Sequence, residues 1–295
     1  MIEAHRLTRR FQETTAVDRV DFTVHAGRVT GFVGPNGSGK STVLRMICGL
    51  LPPTAGEVLV EGLDPIARPR EVRGLLSYLP GETSLYIHMR GNEYLRFINH
   101  FRPRPDRELE AELLRLFALP MERKIRTYSA GMKQKLALCA VLTAGVPLYL
   151  LDEPTRALDA NMREQLVRAL ELMRERGRTI FLSSHHLSDI ERICDDMIFL
   201  MSGRVVPADR VRKLQESLSA QVRVALAPGG SRADLDLPEG CPVEERAGLL
   251  CIDPDGDPRN LVGRLARGPV KAIYWGRAEL AEIYSRLYLE GDGKP

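Results

Sequence analysis

Long apolar runs are missing from this chain. The longest stretch free of charge runs from Leu136 to Leu151, 16 residues, and Gly145 and Pro147 interrupt it. A membrane-spanning helix needs about 20 apolar residues. The run reads as a buried helix, a turn and a buried strand, and a polytopic membrane protein is excluded. Cysteine is sparse. The five, Cys48, Cys139, Cys194, Cys241 and Cys251, are odd in number and widely spaced, with no CxxC pair. Neither a disulfide framework nor a zinc site is indicated. Cys48 and Cys139 lie in apolar helical contexts and read as core thiols, and reduced thiols fit the cytoplasm. Aromatic residues make up 6%, with one tryptophan, Trp275, read as a core anchor. No charge of one sign dominates: 42 basic residues face 39 acidic ones, net +3. That balance does not by itself argue for nucleic acid. The first ten residues, MIEAHRLTRR, lack the apolar segment of a secretory signal.

What is present is the balance of a soluble globular protein, 44% apolar and 27% charged over 295 residues. A disordered or fibrous chain is thereby excluded, and at about 150 residues per domain the length suggests two domains. From residue 2 to about 206 short β-rich runs alternate with helical ones. Strands are expected at 29–33, 57–60, 148–151, 179–182 and 197–201. Several are apolar on both faces, as in a sheet covered by helices on both sides. Helices are expected at 40–50, 92–102, 107–118, 132–144 and 162–176, and residues 84–144 read as a helical subdomain. A charged connector follows at 207–219. Residues 220–295 read as a small α+β domain, with strands at 221–227, 249–252 and 270–275 and helices at 260–266 and 278–289.

Gly34-Pro35-Asn36-Gly37-Ser38-Gly39-Lys40-Ser41, followed by Thr42, fits GxxxxGK[ST] without a gap. An apolar strand precedes it and a helical pattern follows. Glycines let the backbone wrap phosphates, and the amides of the helix N-terminus point at the anion. Lys40 adds a point charge for the β- and γ-phosphates. Ser41 offers a hydroxyl to Mg²⁺, a cation of hard oxygen ligands. The ligand is a nucleoside triphosphate; the motif alone leaves kinase, GTPase and transporter open.

A buried strand ends in two adjacent carboxylates, Asp152 and Glu153. Ligands of open α/β sheets bind at the carboxyl ends of strands. Asp152 is therefore expected near the metal and phosphates, with Glu153 placed to orient or deprotonate a water. Between the two motifs, Ser129 of YSAGMKQ reads as the N-cap of an apolar helix that stops at Gly145.

The phosphate loop, YSAGMKQ about 90 residues on, LLDEPTRALD about 20 further and SSHH about 30 further together resemble the ATP-binding cassette (ABC) family. The resemblance spans residues 2–206. It implies an α/β fold: a P-loop ATPase core, mostly parallel sheet flanked by helices, with an inserted helical subdomain and a small C-terminal α+β domain. The domains are then an ABC ATP-binding domain at 1–206 (helical subdomain about 84–144), a connector at 207–219 and an accessory domain at 220–295. The resemblance implies that Ser129 and Gly131 cap the γ-phosphate of ATP held by a second subunit, with Ala130 in the usual place of a first glycine. It implies that Asp159 lies in the loop crossing to the partner, that His185 contacts γ-phosphate and attacking water, and that Phe11 stacks on adenine. His186 reads as structural, and Ser188 with Glu191 as a capping box. One position departs from the family. Where a glutamine usually reaches Mg²⁺, this chain has Gly81, and the adjacent Glu82 is the expected stand-in.

YLPGE and YSxGMKQ look like the bacterial exporter branch that handles drugs, antibiotics, polysaccharides and lipids. The implied protein is an ATP-hydrolysing motor subunit with ATP and Mg²⁺ as cofactors. It sits peripherally on the cytoplasmic face of the bacterial membrane. Its partners are a separate transmembrane permease subunit, received around residues 81–89, and a second ABC ATPase subunit, in a homodimer rather than a heterodimer; no nucleic acid is expected. The alternative is a soluble ABC ATPase acting on nucleic acid or the ribosome, though neither a long coiled-coil insertion nor a second cassette is present. A P-loop kinase or GTPase leaves YSAGMKQ and SSHH unexplained.

Overall fold

The computed structural model describes residues 1–102, 104–185, 191–238, 240–246, 248–254, 257–276 and 280–291. The chain divides into two units, Met1–Val206 and Pro207–Pro295.

The first unit opens on a hairpin, β1 (Ile2–Phe11) and β2 (Thr14–Val24). Then β3 (Val29–Val33) leads through the glycine loop into α1 (Lys40–Ile47), and β4 (Ala55–Val60) returns to pair antiparallel with β1. The short α2 (Pro69–Leu75) feeds β5 (Leu76–Leu79). The helical stretch follows as α3 (Gly91–His100), α4 (Arg107–Phe117), a 3-10 turn at Ile125–Thr127 and α5 (Ala130–Leu142). The chain then runs through β6 (Leu148–Asp152), α6 (Ala160–Glu175), β7 (Thr179–Ser184), β8 (Asp196–Met201) and β9 (Arg204–Val205).

Two sheets result. One is antiparallel, in the order β2-β1-β4; the other runs β5-β6-β7-β3-β8-β9 and is parallel except for the β8–β9 pair. Every residue of β3, β6 and β7 is buried, as a parallel sheet covered on both faces requires. Phe22 of β2, Phe32 of β3 and Phe181 of β7 join the two sheets, with ring centroids 5.1–5.8 Å apart. Helix α5 is buried almost all round, the mark of a core helix rather than a surface one. It stops at Leu142, three residues before Gly145, and the Thr143 hydroxyl donates back to the Cys139 carbonyl at 2.7 Å. Gly145 serves the next turn instead: φ is +68°, and a Cβ there would meet the Arg104 carbonyl oxygen at 1.9 Å. Cys48 and Cys139 are buried, as expected of core thiols, and burial pushes the Cys48 thiol up to about 12.

The second unit holds the antiparallel sheet β11-β12-β10-β13, formed by β10 (Val222–Leu226), β11 (Val243–Arg246), β12 (Leu249–Ile252) and β13 (Val270–Tyr274). Its helices are α7 (Ala208–Ala220), α8 (Pro258–Leu265) and α9 (Leu280–Gly291). Val222, Val224, Ile252, Leu261 and Leu265 form its core. The segment read as a connector is helical, α7, and buries Leu218. One expectation is corrected. Trp275 is not a core anchor: it is 46% exposed, beside an equally exposed Tyr274. His186, Ser188 and Ala278 lie outside the described residues.

The Phe22–Phe32–Phe181 contact yields a stability prediction. Phe181→Ala leaves a cavity where the two sheets meet and lowers the unfolding free energy by about 3–5 kcal/mol. Urea unfolding followed by circular dichroism checks it, and an unchanged midpoint would show that the sheets are joined elsewhere.

Candidate active site

At two positions of the glycine loop between β3 and α1 the neighbouring backbone leaves no room for a side chain. A Cβ at Gly34 would lie 2.2 Å from the Leu200 carbonyl oxygen, and one at Gly39, where φ is +103°, would lie 2.4 Å from that of Ala16. Lys40 follows, 5% exposed. Its Nζ donates to the Gly34 and Pro35 carbonyls at 2.7 and 3.0 Å and stands 3.5 Å from Glu153 Oε1. Burial pushes the Lys40 pKa below its ordinary value, while the nearby Glu153 and Asp152 carboxylates oppose that shift. The buried Ser38 hydroxyl has no protein partner, which suits an anionic oxygen delivered from outside.

The acid pair ends β6. Asp152 is 1% exposed. Its Oδ1 accepts from the Ser41 hydroxyl at 3.0 Å and from the Ser183 hydroxyl at 2.7 Å. The Ser183 oxygen in turn accepts the Glu153 N–H at 3.0 Å. Glu153 has φ +50°, a conformation that non-glycine residues adopt only where the surroundings hold them in it. Its Oε2 lies 2.6 Å from His185 Nδ1. Lys40, Ser41, Asp152 and Glu153 thus line one cleft of about 370 Å³, with His185 on the Glu153 carboxylate.

Among the described residues no cluster of three His, Cys, Asp or Glu side chains forms a metal cage. The Ser41–Asp152 pair still fits Mg²⁺, which takes one or two hard protein oxygens and completes its shell with phosphate and water. Glu82, the expected stand-in for the missing glutamine, lines the same cleft; its side chain is 89% exposed and stands 3.6 Å from Arg156.

Four expected residues stand apart from this cleft. Phe11 ends β1, 43% exposed, with the Arg9 guanidinium 4.6 Å from its ring centroid. Ser129 is the exposed N-cap of α5 and accepts the Met132 N–H at 3.2 Å. Gly131 is buried against α6, where a Cβ would meet Met162 Sδ at 2.6 Å. Asp159, also exposed, caps α6 by accepting the Met162 N–H at 2.8 Å. Three further residues were not singled out in the sequence: Ser183, Gln134 and Arg156. Gln134 Nε2 donates to the Pro154 carbonyl at 3.2 Å and so ties α5 to the turn after the acid pair. Each lay inside a motif that had been noted for another residue.

The ABC transporter family profile matches residues 17–156. The ABC transporter ATP-binding protein NatA of Bacillus subtilis (strain 168) is 34% identical over 227 residues, covering 74% of this chain and 92% of NatA. The chain belongs to the ABC transporter ATP-binding proteins. The daunorubicin/doxorubicin resistance ATP-binding protein DrrA of Streptomyces peucetius is 33% identical over 295 residues, 98% of this chain and 86% of DrrA. In DrrA the similarity therefore extends over the second unit as well. Among solved structures, the ATP-binding subunit of an ABC transporter superposes with a TM-score of 0.65 at 30% identity, covering 72% of this chain and 92% of that one. The dimeric cassette MJ0796 gives 0.63 at 25% identity over 70% of this chain and 97% of its own. This ABC protein is an ATPase, and its α/β core is the one the sequence implied. No described helix is long and apolar enough to cross a membrane.

The Ser183 bonds yield a prediction. Ser183→Ala removes the hydroxyl that holds both the Asp152 carboxylate and the Glu153 amide. Each lost bond is worth about 1 kcal/mol, so kcat for ATP hydrolysis falls about tenfold while KM moves less. Steady-state ATPase kinetics check it; an unchanged kcat would reduce Ser183 to a packing residue.

Proposed function

We propose that this chain is the motor subunit of an exporter, binding and hydrolysing ATP at the cytoplasmic face of the bacterial membrane beside a separate permease. The observation that carries the reading is the convergence of Lys40, Ser41, Asp152, Glu153 and His185 at one strand edge. The names of its relatives support transport over the nucleic-acid or ribosome alternative. One is a drug-resistance protein, and another is a Nod factor export protein of Neorhizobium galegae, 33% identical over 97% of this chain.

In this reading the loop amides of residues 34–42 and Lys40 hold the β- and γ-phosphates, and Ser38 supplies a further hydroxyl. Ser41 and Asp152 would hold Mg²⁺, which when bound neutralises charge on the phosphate oxygens. Phe11 stacks on adenine. Glu153 accepts a proton from the attacking water, and His185 fixes its carboxylate at 2.6 Å. Ser183 holds the Asp152 and Glu153 backbone geometry on which both roles depend.

Ser129 and Gly131 serve the ATP of a second subunit, and Asp159 lies at the crossing between the two. One phosphate loop and one YSAGMKQ per chain call for two chains, and a homodimer meets that need with the chain in hand. The dimeric MJ0796 cassette supports this arrangement. The permease docks on the helical subdomain, where Tyr86, Ile87 and Phe101 are 56%, 44% and 69% exposed and Phe97 packs edge-on against both Tyr86 and Phe101.

Two outcomes test the proposal. Glu153→Gln keeps the shape of the side chain but cannot take a proton, so hydrolysis falls by about 10²–10⁴ and an ATP-bound dimer accumulates. Size-exclusion chromatography with Mg-ATP against Mg-ADP reads it, with Ser129→Arg added as the control that blocks pairing. A monomer under all conditions, with the membrane subunit also present, would sink the two-chain mechanism. Separately, Tyr86→Ala with Phe101→Ala removes two aromatic anchors, each worth about 2 kcal/mol at an interface. Co-purification with the membrane subunit should be lost while ATP affinity stays within about twofold; retained co-purification would place the docking surface elsewhere.

A further inference from the structure

The loop after the acid pair carries a cation that the reading above does not use. Arg156 sits in the turn that follows β6. Two left-handed non-glycine residues bracket that turn, Glu153 at φ +50° and Ala157 at φ +61°. The Arg156 N–H closes it by donating to the Glu153 carbonyl at 3.0 Å. Backbone of that kind persists where the surrounding structure holds it, and it gathers at ligand sites. Here it folds Arg156 back, so that its side chain lines the same cleft as Lys40, Ser41, Asp152 and Glu153.

Gly81 forms part of the opposite wall. A Cβ built on it would stand 3.4 Å from Asp152 Oδ2, so a side chain at this position would enter beside the Ser41–Asp152 pair. Glycine supplies none. Arg156 occupies that edge instead: its Nη1 donates to the Gly81 carbonyl at 3.0 Å. A guanidinium carries five N–H donors in a planar fork, and the bond to Gly81 uses one of them. The Glu82 carboxylate at 3.6 Å is 89% exposed, a solvent-screened pairing that holds the arginine weakly. The rest of the fork matches a phosphate group, which guanidinium binds through two parallel bonds. Glu153, placed for the attacking water, begins the same turn. The phosphate within reach of Arg156 is therefore the terminal one.

We propose that Arg156 binds the terminal phosphate of ATP, at the cleft edge that Gly81 leaves open. The proposal rests on the ATPase reading and adds to it a residue that separates ATP from ADP.

The test is equilibrium binding to the full-length chain, measured by calorimetry with Mg²⁺, for ADP and for a non-hydrolysable imido analogue of ATP. Arg156→Ala should weaken the ATP analogue about tenfold or more, the worth of a charge-assisted bond, with ADP affinity within about twofold. Arg156→Lys keeps the charge and loses the fork, so its affinity for the analogue should fall between the two. Gly81→Gln in the Arg156→Ala background should recover part of the loss, since a Cβ at residue 81 meets Asp152 at ordinary contact distance. An unchanged ratio of ATP-analogue to ADP affinity, whether both fall together or neither moves, overturns the proposal and leaves Arg156 as a pin on the Gly81 carbonyl. If the unmodified chain binds the analogue no better than Lys40→Ala does, the ATPase reading falls and the proposal falls with it.

Discussion

Burial on both faces of β3, β6 and β7 is the constraint from which the site follows. A strand covered by helices above and below carries no charge along its length, because an unpaired buried charge is too costly to retain. Charge enters only where the strand emerges. Because the three strands are parallel, they emerge at one edge, and the first charged or titratable groups at their ends meet there: Lys40 after β3, Asp152 and Glu153 at the end of β6, His185 after β7. The chemistry is brought together by the sheet rather than by contacts of its own.

Once gathered, these groups hold each other. Lys40 is buried deeply enough that its ammonium needs partners, and two loop carbonyls and Glu153 supply them. Glu153 is placed between Lys40 and His185, and its backbone is kept in a left-handed conformation by the Ser183 hydroxyl. Ser183 also reaches Asp152, so a single buried hydroxyl links the Asp152 carboxylate to the Glu153 backbone. A change in any of these groups is felt by the rest, as expected of polar networks in a low-dielectric setting.

Legibility in the sequence followed contiguity. The phosphate loop lies within nine successive residues and carries its own strand–helix context, so it was readable in full. Strands β3, β6 and β7 were readable as continuous apolar runs bounded by turn residues, and the amphipathic helices of the first unit by their apolar period. The β1–β2 hairpin was not read, since register shifts between Ala4 and Arg10 break its alternation. Strand β11, VEER, has no apolar alternation to detect and is defined by its partner β12. Trp275 misled because a lone tryptophan suggests a core, whereas this one follows β13, at the edge of its sheet. Ser183 and Arg156 could not be ranked from sequence at all. A serine at the end of a buried strand and an arginine in a turn are ordinary residues. Only the fold brings Ser183 within 2.7 Å of Asp152 and Arg156 within 3.0 Å of Gly81.

The same packing accounts for the alanine in Ser129-Ala130-Gly131. Position 130 opens helix α5 and is exposed, so a methyl group there meets solvent. Position 131 is pressed against α6, where any Cβ would lie 2.6 Å from Met162 Sδ. A side chain at 131 would have to displace the flexible end of Met162 and crowd the Ala157 carbonyl oxygen at 3.3 Å, so the helix packing favours glycine at 131 and not at 130. The Ser129 oxygen is used in accepting the Met132 N–H, which leaves its hydrogen to donate. The first amides of a helix have no partner within it. On the proposed reading, this donor hydroxyl and the leading amides of a helix whose N-cap is exposed, outside the cleft that Lys40 and Glu153 line, serve an anion other than the phosphates held by the chain's own loop. That separation, within one folded unit, is the physical reason to look to a second chain for its ligand.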